Sequence, residues 1–170
     1  MEKLLAAVLV GAVGACVPAA SEVPAELQNR ADMLNQEGAQ DHLIYRPDQI
    51  EWQPGPASFE AGSEAAVLEG DPGEAGFFNL RIRMPDGFVI APHWHAGVER
   101  VTVVSGTFNL GMGETFDRDA AVRLPAGSYF SLPPGMRHYA FTEGETVIQL
   151  TSMGPWEITY VNPADDPRER

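Results

Sequence analysis

Gly87-Phe-Val-Ile-Ala-Pro-His93-Trp-His95-Ala-Gly-Val-Glu99 concentrates the chemistry-bearing residues of the chain in thirteen positions. It holds two of the chain's four histidines, at i and i+2, with a carboxylate four residues later. In a β-strand i and i+2 share one face about 6.7 Å apart, so both imidazoles can converge on one ion. A helix is opposed by Pro92, by Gly97 and by the β-branched run Val101-Thr-Val-Val104. Gly97 is expected to allow a sharp bend that carries Glu99 back to the histidines' side.

A second cluster, Gly127-Ser-Tyr-Phe-Ser-Leu-Pro133-Pro134-Gly135-Met-Arg-His138, places a third histidine on a strand after a Pro-Gly turn. Together the two stretches resemble the paired motifs of the cupin superfamily. The first motif matches as glycine, five residues, His-x-His, three residues, Glu, six residues, glycine, ending at Gly106. The second matches through His138 and departs only at Thr142, where the family usually carries asparagine. The resemblance covers roughly residues 44 to 162 and implies a metal bound by His93, His95, Glu99 and His138.

Strand signals agree with that resemblance. Phe78, Leu80, Ile82 and Met84 alternate with Asn79, Arg81 and Arg83 at a period of two. Further strands are expected at 65–68, 101–104, 107–113, 122–124, 129–132, 138–142, 145–152 and 156–161. Turn residues recur every 8 to 12 positions or so, the rhythm of an antiparallel sandwich or small barrel. The expected fold is therefore all-β, a double-stranded β-helix of the cupin jelly-roll type. Residues 163–170 read as a charged, poorly ordered tail.

The chain has 170 residues and a formal charge of −13, and Lys3 is its single lysine. With no basic stripe to release counterions, binding to nucleic acid is excluded as an expectation. The run Leu4–Ala15 is apolar but shorter than the roughly 20 residues that span a bilayer. Residues 1–20 read as a secretory signal sequence. Val13-Gly-Ala-Cys16 resembles the lipobox of bacterial lipoproteins, which implies lipidation at Cys16; soluble export with cleavage near Ala20 is the alternative. Either route places the protein in the periplasm or on a membrane surface, with membrane contact only through that anchor. Residues 21–43 read as a spacer or a short amphipathic helix, followed by a barrel over 44–162.

Three imidazoles and a carboxylate suit Fe(II), which is favoured, or Mn(II), Ni(II), Co(II) or Zn(II). Four protein ligands leave one or two positions open, and an open site without thiolates favours chemistry over scaffolding. Strand parity places Val101 and Val103 beside Glu99, turns Ala140 and Thr142 inward with His138, and turns Trp94 away. Among polar neighbours, Arg81 or Arg83 can clamp an anion if their face looks inward, and otherwise lie on a solvated sheet face. Gln149 and Thr151 are candidate hydrogen-bonding groups, and Tyr129 is the candidate phenol at the metal mouth. Arg137 and His42 read as surface residues.

Two kinds of function follow. The resemblance implies a dioxygenase-type oxidoreductase acting on a small diketone, enol or phenolic substrate. The alternative is non-redox: a metal-supported binding or sensing module, or an isomerase or lyase of sugars or organic acids. A homodimer is expected from the resemblance alone.

Overall fold

The computed structural model describes residues 42–170. The leader, Cys16 and nearly all of the 21–43 spacer lie outside the described residues.

Nine strands follow one another: β1 (Gln53–Pro54), β2 (Glu64–Glu69), β3 (Gly76–Met84), β4 (Val89–Trp94), β5 (Glu99–Met112), β6 (Val122–Pro125), β7 (Tyr129–Leu132), β8 (His138–Gly154) and β9 (Thr159–Tyr160). All pairings are antiparallel. Two expected pairs of short strands prove to be single long ones. The segments 101–104 and 107–113 fuse into β5, and 138–142 and 145–152 fuse into β8.

β5 and β8 pair along most of their length and shift register between Val103 and Thr107. That shift bends one continuous nine-stranded sheet into two halves, which pack on a shared core as the two sheets of the barrel. The first half of β5 pairs with β7 and with the second half of β8, which also pairs with β3 and through it with β2 and β1. The second half of β5 pairs with β6 and with the first half of β8, which also pairs with β4 and through it with β9. Gly106 sits at the corner with φ of 76°. A side chain there would come within 2.4 Å of the Glu145 carbonyl oxygen, so only glycine suits the bend.

Alternation sets which side chains lie between the sheets. Phe78, Leu80, Ile82 and Met84 on β3, with Ile148 and Leu150 on β8, are buried in the core. The intervening Arg81 and Gln149 are register partners and face outward, joined by a 3.1 Å hydrogen bond. Thr142, at the position where the second motif departs from its pattern, closes the Pro85-Asp-Gly87 turn. Its hydroxyl donates to the Pro85 carbonyl at 2.6 Å and accepts the Phe88 N–H at 2.9 Å.

The last expected strand shrinks to β9, because the backbone of Trp156 and Glu157 is engaged elsewhere. The Trp156 N–H donates to the Pro72 carbonyl at 2.7 Å, and the Glu157 carbonyl accepts from His95. The tail is not loose. It forms two 3-10 turns, Pro163–Asp165 and Pro167–Glu169, capped by the side chains of Asn162 and Asp166 with proline at the first turn position. Arg168 is paired with Asp166, and Arg170 with Glu60.

Candidate metal centre

His93 and His138 are cross-strand partners on β4 and β8, with ring centroids 4.1 Å apart. A bulge between Ile90 and His93 lets both of these residues face the cavity despite their odd spacing. His95 lies just beyond β4, where its carbonyl accepts the Gly135 N–H at 2.8 Å and ties the two motifs together. Glu99 opens β5 on the other sheet. The four residues thus come from both sheets and the segment between them, and all four are buried.

Each histidine is oriented by a backbone carbonyl. Nδ1 of His93 donates to Ala91 at 2.8 Å, that of His95 to Glu157 at 2.7 Å, and that of His138 to Met136 at 2.9 Å. A carbonyl only accepts, so Nδ1 carries the proton and the neutral ring presents a bare Nε2. Burial, reinforced by repulsion from His138 and His95, pushes the His93 pKa well below its ordinary value. Burial also lowers that of His95, against the opposing pull of Glu99. Both effects favour neutral imidazoles, the form that binds metal.

The ligand atoms of the three histidines lie within 4.8 Å of one another. Glu99 Oε2 stands 3.1 Å from His138 Nε2, and Oε1 stands 3.9 Å from His95 Nε2. Oε2 is buried with no hydrogen-bond donor among the described residues. A desolvated carboxylate oxygen facing imidazole lone pairs is costly unless a cation sits among them. The donor set and its orphaned oxygen fit a divalent transition metal held by His93, His95, His138 and Glu99.

The centre opens into a cavity of about 500 Å³. Its walls are apolar, as expected, but the residues differ from those expected. Val101 and Val103 are buried in the core, and the cavity is lined instead by Leu80, Ile82, Phe108, Ile148 and Leu150. Ala140 joins them, whereas Thr142 does not.

The expected polar neighbours are absent from it. Arg81 and Gln149 face outward on the sheet, as does Thr151, which pairs with Asn79. Arg83 binds Glu64 and stacks over Trp52. Tyr129 is 60% exposed, because Phe130 and Leu132 take the inward positions of β7. Arg137 pairs with Glu114, and His42 is exposed. Trp94 is outside the cavity lining.

One residue the sequence reading passed over is Trp156. Its ring stacks on His95 with centroids 4.2 Å apart and planes at 19°. It also explains Gly97, where an added side chain would meet the indole at 3.3 Å. Nothing local marked it, since Trp156 lies 61 residues after His95 and in neither motif.

Two antiparallel sheets closed over a buried cluster of three histidines and a glutamate define a cupin. The chain belongs to the ChrR cupin-like domain family, which it matches over residues 40–157. Comparison with curated proteins finds no match. Among solved structures it resembles an acetylacetone dioxygenase from Acinetobacter johnsonii, with TM-score 0.58 and 20% identity over 77% of this chain and 84% of that one. It also resembles the polyketide cyclase RemF from Streptomyces resistomycificus, with TM-score 0.57 and 16% identity over 76% of this chain and 92% of that one. A third is a cupin-superfamily sugar phosphate isomerase from Silicibacter pomeroyi, with TM-score 0.55 and 17% identity over 70% and 82%. At these identities the likeness establishes the fold and leaves the reaction open.

Proposed function

We propose that the protein is a metal-dependent oxidoreductase of the dioxygenase type, acting on a small diketone, enol or phenolic substrate, with Fe(II) as the favoured metal. The observation that carries this reading is the orphaned Glu99 oxygen among three oriented imidazoles at the end of an apolar cavity. When bound, a redox-active divalent ion supplies Lewis-acid polarisation of a chelating oxygen pair and access to dioxygen chemistry. The chain's own residues do the rest. The three backbone carbonyls hold the rings in the ligating tautomer, Glu99 adds one negative charge, and the apolar walls exclude water from the reacting face. The likeness to an acetylacetone dioxygenase supports this choice among cupin chemistries.

The test is dioxygen uptake by Fe(II)-loaded protein with acetylacetone, benzoylacetone and simple phenols, beside His95→Ala. Substrate-dependent uptake that vanishes in the variant is expected. Tight binding of these compounds with no uptake would instead identify a binding module.

A further inference from the structure

The cavity's charge inventory is short. Among the described residues lining it, besides the histidines, only Glu99, Glu157 and Arg168 carry ionisable side chains. Glu157 is exposed. Arg168 is the single cation, and it is already engaged. Its Nε donates to Asp166 Oδ1 at 2.9 Å and its Nη2 to Asp166 Oδ2 at 2.7 Å, with a further bond to the Ile158 carbonyl at 3.0 Å. No unpaired cation remains among the described lining residues to meet an anionic group on a bound molecule.

We propose that the cavity selects an oxygen-chelating ligand that bears one negative charge on an apolar body and rejects ligands that bring a second anionic group. The proposal rests on the metal-dependent reading above. A divalent ion with one carboxylate ligand keeps one formal positive charge, which a singly charged chelator neutralises. A second charge has only hydrocarbon, the Glu157 carboxylate and an already matched guanidinium to face, and burying it uncompensated is unfavourable. The rule disfavours phosphate esters and dicarboxylates and favours enolates. The cavity volume, together with the side chains of Leu80, Ile82, Phe108, Ile148 and Leu150, calls for a body larger than a five-carbon diketone.

Val67 provides a direct handle. It lines the cavity yet is 50% exposed, so a longer polar side chain is tolerated there and can place a cation at the rim.

The experiment is calorimetric titration of the full chain loaded with Zn(II), a redox-silent ion that separates binding from turnover. The probes are acetylacetone, benzoylacetone and benzoylacetone carrying a ring carboxylate. Benzoylacetone is expected to bind about tenfold more tightly than acetylacetone through burial of its ring. The carboxylated analogue is expected to bind weaker than benzoylacetone by roughly thirtyfold or more. Val67→Lys is expected to narrow the gap between benzoylacetone and its carboxylated analogue about fivefold, read as the ratio of the two affinities in the same variant. Equal affinity for the two benzoylacetones in the unmodified chain would overturn the charge rule, and equal affinity for acetylacetone and benzoylacetone would overturn the apolar-body rule. If no diketone bound but tropolone did, and carboxylated tropolone did not, the diketone reading would fail while the charge rule stood. Failure of every singly charged chelator would overturn the proposal.

Discussion

Trp156 lies flat against His95, and the carbonyl of the next residue, Glu157, accepts the His95 Nδ1 proton. A single short segment therefore fixes both the plane and the tautomer of one ligand. Trp156→Ala should weaken metal binding roughly tenfold, as loss of a supporting partner commonly does. Trp156→Phe, which keeps a stacking face, should recover most of it. The visible spectrum of Co(II)-loaded protein reads the geometry directly. An unchanged spectrum and affinity in the alanine variant would show that the stack is mere packing.

His93→Ala, His95→Ala and His138→Ala should each abolish stoichiometric metal, measured by elemental mass spectrometry against about one ion per chain in the parent. Tyr129→Phe, Arg81→Ala and Gln149→Ala should leave metal content unchanged, since these side chains face away from the centre. Metal retained in all three histidine variants would disprove the site.

Glu99→Gln should act in opposite directions on the two states. It removes a buried, donorless carboxylate oxygen, so the metal-free protein should gain about 1 kcal/mol of stability. It also removes an anionic ligand, so metal affinity should fall. Denaturant unfolding with and without metal separates the two effects, and a variant less stable than the parent in the metal-free state would contradict the account.

The metal-free protein should lose stability as pH falls below about 6.5. In the folded chain His93 and His95 hold pKa values below the ordinary 6.5 that they regain on unfolding. Between the lowered and ordinary values the unfolded chain binds more protons, so acid favours unfolding there. Thermal melts of the metal-free form from about pH 8 to about pH 5.5 should show this decline, and His93→Leu should make it shallower, leaving the share that belongs to His95. A slope undiminished in that variant would point to other groups.

Gly106→Ala should cost about 2–4 kcal/mol, combining an unfavourable positive φ with the clash at Glu145 and Thr146. Gly127→Ala carries a positive φ of 87° but meets no described residue within 4 Å, and should cost only about 1 kcal/mol. Similar losses at both positions would mean that the corner is not sterically closed.

The ligand histidines were legible because metal chemistry demands particular residue types at short spacings, and the i, i+2 pair lies within one extended stretch. Alternation along β3 was legible for a similar reason, since a strand buries every second side chain. Parity failed where the backbone departs from regular geometry. The bulge at Ala91–Pro92 brings Ile90 into line with His93, and the corner at Gly106 makes one strand serve two sheets. Alternation alone does not say which face of β3 looks inward, so Arg81 and Gln149 are site candidates on sequence, and their outward pairing removes them from the site.

Local pattern in the sequence pointed to an antiparallel sandwich or small barrel, and the resemblance of its two motifs to those of cupins implied the barrel and the set His93, His95, Glu99 and His138. Tertiary structure alone decided that His138 pairs across strands with His93, that Trp156 backs His95, and that Arg168 is matched by Asp166 near the cavity. Those relationships join residues far apart in the chain or depend on how a tail folds back, and only the closed packing of the two sheets brings them within contact distance.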